Sequence, residues 1–339
     1  MNLLVTGATG FIGRHLVDRL LADRPKDTLY CLVRSPIPAH EAEAVAALCR
    51  RGVRIIEGDL ERPEVSRMPA PCASLVFHLA ANPDTALPDT ALRVNDVGTQ
   101  HLIDWLGERA RGARIVYTSS VAVLDRDAHP DGPLTETSPC HPRTGYGRTK
   151  LGGEQALVAR ADADGYSYTV LRLGTVFGPG AKTGGLFDRL FSLTERHRLL
   201  GRLNWPGRTS VVHVDDVARL LSRVAAEPQA ANQIYCVANP DAPTVGELAV
   251  HIGNVSGHPI QPVRLPEWLW RAARAVVWRP WLYRITPGRA FLVLWWCSLL
   301  VDNGFWMDTA KLQEVWSEPF TSLDDGLRDM DAGRRQPKP

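Results

Sequence analysis

Asn2-Leu3-Leu4-Val5-Thr6-Gly7-Ala8-Thr9-Gly10-Phe11-Ile12-Gly13 is the stretch that decides the fold. Asn2 to Thr6 reads as a short buried strand, and from Gly13 to Ala22 the apolar residues recur with helical spacing. Between the two lies a turn that needs Gly7 for its backbone geometry. Gly10 lets the backbone reach a pyrophosphate, Gly13 permits close helix-to-strand packing, and the helix N-terminus faces the phosphates. The spacing is GxxGxxG rather than the commoner GxGxxG, but it sits in the strand-turn-helix setting that this chemistry requires. The reading is a dinucleotide site.

Working outward, short apolar runs alternate with amphipathic stretches, the pattern of parallel strands covered by helices. Strands are expected at Asn2 to Thr6, Thr28 to Val33, Arg54 to Glu57, Ser74 to His78, Arg114 to Thr118 and Ser167 to Leu171. Helices are expected at Gly13 to Ala22, Thr90 to Glu108 and Tyr146 to Ala163. The fold class is therefore α/β, a Rossmann-type doubly wound parallel sheet with a smaller, mostly helical substrate lobe. Residues 1–174 form the nucleotide-binding domain, and 205–237 partly returns to it through a strand at Gln233 to Val237. The lobe comprises 175–204 and 238–332, with helices at Leu186 to Leu200, Val214 to Ala226 and Thr244 to Asn254. Residues 333–339 are expected to be a disordered tail.

Composition narrows the function. The 339 residues are 45% hydrophobic and carry a formal charge of +2, from 39 basic and 37 acidic side chains. That is a folded chain with no field to suggest nucleic acid as a partner. Cys31, Cys49, Cys72, Cys140, Cys236 and Cys297 lack the paired short spacing of zinc or redox sites, so they read as reduced thiols and no metal is expected. Met1 leads within one residue into a strand, which leaves no room for a signal peptide. The longest apolar run, Phe291 to Val301, is about half of the ~20 residues that span a bilayer. A cytoplasmic enzyme is expected. Eight of the ten tryptophans fall between Trp268 and Trp316.

The end of the second strand sets nucleotide choice, because an acid there grips a ribose 2′-hydroxyl and a base accepts a 2′-phosphate. Tyr30-Cys31-Leu32-Val33-Arg34-Ser35 has no acid in reach, so Arg34, helped by Arg14, points to NADP(H) over NAD(H). Further along, Tyr146 and Lys150 share one helix face by their i, i+4 spacing. A lysine charge favours the ionised phenol and brings it toward the working range, which makes Tyr146 the proton donor or acceptor. Lys150 would also hold the nicotinamide ribose. His213 and Asp216 read as a helix cap and brace rather than as catalytic residues. His78 reads as a packed residue beside the cofactor.

These stretches together resemble the extended short-chain dehydrogenase/reductase family, also known as the NAD-dependent epimerase/dehydratase superfamily. Besides Thr6 to Gly13, the matching segments are Gly58-Asp59-Leu60, His78-Leu79-Ala80-Ala81, Asn95 with Gly98-Thr99, Gly178-Pro179-Gly180 and Val212-His213-Val214-Asp215-Asp216. A weaker echo follows at Met307-Asp308-Thr309-Ala310-Lys311. The resemblance implies a nucleotide site built from Gly7, Thr9, Gly10, Phe11, Ile12, Gly13, Arg14, Arg34, Asp59, Leu60, Leu79, Ala80, Ala81, Asn95, Tyr146, Lys150 and Val176. It implies a reaction centre of Ser120, Tyr146 and Lys150, with Ser119 the alternative to Ser120 by register. It also implies a homodimer through the Thr90 to Glu108 and Tyr146 to Ala163 helices. Dehydratases of the family carry an acidic pair after the serine, where this chain has Val121-Ala122. Nucleotide-sugar enzymes place an arginine where it has Thr209, although Arg208 is adjacent.

Between Leu265 and Trp306, Trp268, Trp270, Trp278, Trp281, Trp295 and Trp296 alternate with Arg271, Arg274, Arg279, Arg284 and Arg289. Three readings fit: peripheral membrane contact through 265–306, a lid over an apolar pocket, or core packing. The expected function is NADP(H)-dependent reduction of a carbonyl, or oxidation of an alcohol, on a small apolar substrate, as in the steroid-dehydrogenase and flavonol-reductase branch. The alternatives are an acyl-thioester reductase, for which Tyr30 to Arg34 and Lys182-Thr183-Gly184 speak, a nucleotide-sugar epimerase, and a non-catalytic NADP-sensing module.

Overall fold

The computed structural model describes residues 1–85, 87–125, 132–181, 183–196, 199–277, 297–298, 300–302 and 305–335. Lys182, Trp278, Arg279, Trp281, Arg284, Arg289, Trp295, Trp296 and residues 336–339, all used in the sequence reading, lie outside them.

The elements run β1 (Asn2–Thr6), α1 (Phe11–Asp23), β2 (Thr28–Arg34), α2 (Ala42–Arg50), β3 (Arg54–Gly58), β4 (Leu75–His78), α3 (Val97–Leu106), β5 (Arg114–Ser120), α4 (Gly145–Asp164), β6 (Ser167–Leu173) and β7 (Thr175–Phe177). They continue with α5 (Leu186–Glu195), α6 (Leu199–Arg202), β8 (Val211–His213), α7 (Val214–Val224), β9 (Gln233–Val237), α8 (Val245–Val255), α9 (Glu267–Val277) and α10 (Leu323–Arg335). Seven strands form one parallel sheet in the order β3-β2-β1-β4-β5-β6-β9. The order reverses between β1 and β4, which opens a crevice at their carboxyl ends. Apolar clusters cover both faces, one joining α1 and α7 to the sheet through Leu16, Leu20, Val217 and Leu220, the other joining α3 and α4 through Leu102, Leu106 and Leu157.

The third helix starts at Val97, seven residues later than the periodicity of Thr90 to Glu108 suggests. The Asp96 carboxylate accepts the Val97 N–H at 2.7 Å and fixes the start there, while Asp89–Ala91 makes a separate 3₁₀ turn. The expected tail needs correction: α10 continues through Gly333 to Arg335. Arg334 pairs with Glu195 at 3.0 Å and lies over the Phe191 ring at 4.2 Å, which anchors this end to α5. In the lobe, Phe177, Phe187, Phe191, Leu248, Ile252, Leu327 and Met330 form a separate core between α5, α8 and α10.

A buried polar chain joins β1 to α4. The Ala80 N–H donates to Thr6 Oγ1 at 3.1 Å, and Thr6 Oγ1 lies 2.7 Å from His78 Nδ1. His78 Nε2 lies 3.0 Å from Thr99 Oγ1, whose hydroxyl donates to the Asn95 carbonyl at 2.8 Å. The Thr99 hydroxyl is committed to the Asn95 carbonyl, so Nε2 carries the proton, and a neutral His78 then accepts the Thr6 hydroxyl at Nδ1. Burial, with a smaller contribution from the Lys150 charge, lowers its pKa from 6.5 to about 3.

Between those values the unfolded chain takes up a proton that the folded chain refuses, so stability is lost as pH falls below about 6.5. Urea titrations at stepped pH should show this loss, on the order of a few kcal/mol, and His78→Gln should flatten it. An unchanged pH slope in the variant would contradict this assignment.

Candidate active site

The turn after β1 is closed by protein on one side and open on the other. Gly7 has φ +73°, and a Cβ there would lie 2.7 Å from Ala80 N; one on Gly13 would lie 2.0 Å from the Gly7 oxygen. A Cβ on Gly10 would meet only that oxygen, at 3.1 Å, so its outer face is free for a ligand. The α1 N-terminus has no side-chain cap and no acid in its first turn, which leaves its N–H groups available to an anion.

A cleft of about 870 Å³ begins at this turn. Of the expected nucleotide residues, Gly7, Thr9, Gly10, Arg34, Asp59, Leu60, Leu79, Ala80 and Ala81 line it. Gly13 is packed beneath the turn, while Phe11 and Ile12 are half-buried in the first turn of α1. Arg14 is exposed and reaches the Gly180 carbonyl at 3.5 Å rather than the wall that holds Arg34. Val176 is half-buried on β7 against the α1 side of the core. Asn95 is fully buried and does not reach the cleft wall. Its carboxamide accepts from Asn82 N at 2.8 Å and donates to Thr149 Oγ1 at 3.0 Å, so it positions the cleft-lining Asn82 and helix α4.

One premise of the sequence reading is overturned. Arg34 does have an acid in reach, because the 3₁₀ turn Ala39–Glu41 folds back and Glu41 bonds both Arg34 and Thr9. The signal was Pro36 and Pro38, which turn the chain immediately after β2.

Ser120, Tyr146 and Lys150 are not part of the lining of the cleft at the glycine turn; Ser120 ends β5 at the carboxyl edge of the sheet, and Tyr146 lies in the first turn of α4. Ser120 Oγ accepts the Ala122 N–H at 3.2 Å and lies near enough to the Tyr146 phenol to act on its pKa. Ser119, one residue earlier, is buried with its Oγ unpaired, so Ser120 is the serine that meets Tyr146. Burial raises the Tyr146 pKa, and the nearby Ser120 hydroxyl lowers it by less. The expected lowering by Lys150 is therefore not what governs the phenol. The Lys150 ammonium instead sits 4.0 Å from the centroid of the Tyr117 ring. It is buried with no hydrogen-bond partner among the described residues, and desolvation, partly offset by Glu154, lowers its pKa to about 7.

A buried ammonium without an acceptor, a glycine cradle and an uncapped helix N-terminus suit a nicotinamide dinucleotide, whose ribose hydroxyls and phosphates supply the missing partners. His213 Nδ1 accepts the Asp215 N–H at 3.4 Å and caps α7. Asp216 is buried and holds Thr321 N at 2.8 Å. His213, Asp215 and Asp329 approach one another, but Asp215 is bound to His15 at 2.5 Å and the two His213 nitrogens face different carboxylates.

The profile of the NAD dependent epimerase/dehydratase family matches residues 3–238. The chain belongs to that family. It is accordingly a nicotinamide-dependent enzyme of the short-chain dehydrogenase/reductase type, with the Rossmann sheet described above. It is 34% identical over 295 residues to a 3-diazoavenalumate denitrifying reductase of Streptomyces sp, covering 82% of this chain and 88% of that one. It is 29% identical over 266 residues to the ceramide reductase of Caulobacter vibrioides, covering 78% and 73%. The fold is shared with UDP-glucuronic acid 4-epimerase of Bacillus cereus, solved with UDP-glucuronic acid and NAD (TM-score 0.73, 20% identity, 99% of both chains).

Because the buried Lys150 ammonium has no hydrogen-bond partner among the described residues, Lys150→Met should stabilise the free protein near pH 6 by about 1–3 kcal/mol while abolishing turnover. The wild-type protein should also gain stability between pH 7 and 10.5, where only the unfolded chain keeps that proton. A lower melting temperature for Lys150→Met would show that the ammonium is paired.

Proposed function

We propose that this enzyme uses NADP(H) to reduce the carbonyl group of a small apolar molecule, with Tyr146 as the proton donor. The observation that carries the reading is the Ser120–Tyr146 pair at the carboxyl edge of the sheet, with Lys150 one helical turn away. A bound nicotinamide supplies a hydride to the carbonyl carbon. Ser120 orients the carbonyl oxygen, and the phenol of Tyr146 gives that oxygen its proton. The phenol holds its proton at neutral pH and so can donate it in the reductive direction. Lys150 would hold the nicotinamide ribose, and Arg34 the adenosine 2′-phosphate.

Two features favour an apolar substrate. Arg208, the residue best placed to stand in for a diphosphate-binding arginine, donates to the Ala242 carbonyl at 2.9 Å and lies over the Trp306 ring at 5.6 Å. Among relatives, one is named for a reductase of ceramide. A thioester reductase is the second reading, for which the sequences Tyr30 to Arg34 and Lys182-Thr183-Gly184 speak.

NADPH oxidation should appear with a panel of apolar ketones and not with UDP-sugars, and Tyr146→Phe should lower it by about 10²–10⁴-fold. Sugar interconversion without net NADPH oxidation would replace this reading with an epimerase, and turnover confined to acyl thioesters would promote the second.

We further propose a homodimer through α3 and α4, and peripheral membrane contact in the cytoplasm through the outward side of α9. There Trp268 and Val276 are 66% and 59% exposed beside Arg271. A monomeric sedimentation mass would remove the dimer. Failure to cosediment with anionic vesicles would remove the membrane contact.

A further inference from the structure

We infer that Glu41 is a specificity-determining residue of the nucleotide cleft, one that holds Arg34 in the free protein and must release it to a 2′-phosphate. This rests on the NADP(H) reading above.

Glu41 lines the same cleft as Gly7, Thr9 and Arg34. Its Oε2 accepts the Thr9 hydroxyl at 2.8 Å, and its Oε1 accepts from Arg34 Nη2. The two partners differ in freedom. The Glu41 side chain is 13% exposed and tied to the glycine turn, whereas the Arg34 side chain is 62% exposed. Arg34 is therefore the member that can move. The carboxylate spans the distance between the turn that would take the pyrophosphate and the cation that would take the 2′-phosphate.

The chemistry follows from charge. A phosphate arriving at Arg34 meets a carboxylate already on Nη2, so a bidentate grip that uses Nη2 has to displace Glu41. Binding of a 2′-phosphate thus competes with the ion pair and brings two anions close together. A 2′-hydroxyl incurs neither penalty and can donate to the same carboxylate. Glu41 consequently narrows the preference that Arg34 alone would give. Other charged groups at this end are His40, whose Nε2 is 3.6 Å from Glu41 Oε1, and Asp59 and Glu61, of which Asp59 pairs with Arg62 at 3.2 Å. Neither of these two acids is bonded to Arg34.

Glu41→Gln removes the charge and keeps an oxygen that can accept from Thr9. Fluorescence titration of NADPH and NADH into the full-length protein tests the inference. NADPH should bind about 3–10-fold more tightly to Glu41→Gln than to wild type, with NADH binding unchanged or weaker, and most of the gain should vanish in the Arg34→Ala background. Unchanged or weaker NADPH binding, with the melting temperature of the free protein preserved, would overturn it. If Glu41→Gln loses thermal stability, Glu41→Asp, which draws the charge back by one methylene, takes its place under the same criteria. The failures are separable. If Arg34→Ala leaves NADPH binding unchanged and NADH binds as tightly, the NADP(H) reading itself fails. If Arg34→Ala weakens NADPH binding while Glu41→Gln has no effect, only the role of Glu41 is lost.

Discussion

The polar chain from Thr6 through His78, Thr99 and Asn95 to Thr149 is the constraint on which the rest of the site depends. It runs from the glycine turn to the turn of α4 between Tyr146 and Lys150. Each member is buried, so each must find a partner inside the protein, and a break at one position leaves a neighbour unsatisfied. Helix α4 is thereby fixed relative to β1 by directional bonds as well as by apolar contact. The two ends of the crevice, phosphate and reaction centre, form one rigid frame.

The close packing of α4 has its own requirement. A Cβ at Gly153 would stand 2.4 Å from the Tyr117 hydroxyl, so glycine lets that ring lie against the helix and beneath Lys150. Further along the same helix Glu154 meets Arg172 of β6 at 2.9 Å, both almost fully buried. Desolvation offsets much of the attraction in such a pair, whereas removing one partner would leave the other charge buried and unpaired. The lysine, the tyrosine platform and the ion pair together set how α4 sits on the sheet.

Much of this frame was legible in the sequence because it is local. The glycine turn, the parallel strands and the i, i+4 pair of Tyr146 and Lys150 are patterns within ten residues. What escaped the reading depends on contacts across many residues. Asn95 resembles a nucleotide ligand by position, but its amide is taken by Asn82 and Thr149. Glu41 is invisible as a partner of Thr9 until the chain has turned at Pro36 and Pro38. The direction of the Tyr146 shift likewise required knowing where the Lys150 charge goes. The tryptophans were ambiguous for a similar reason. Trp270 packs on Trp205 at 5.2 Å and Trp316 joins the sheet core, whereas Trp268 faces solvent, and composition cannot distinguish these fates.

The late return of β9 has a kinetic consequence. Thr169 to Leu173 of β6 are paired on one side by β5, but their other side is completed only by Gln233 to Val237. During synthesis that edge stays open for the roughly 3–12 s needed to make the intervening residues, at the ~5–20 residues per second of a ribosome. An unpaired, apolar strand edge invites association with other nascent chains. Only the first part of the lobe, α5 and α6, is made inside that interval, whereas α8, α9 and α10 follow after β9 has become available to close the sheet edge.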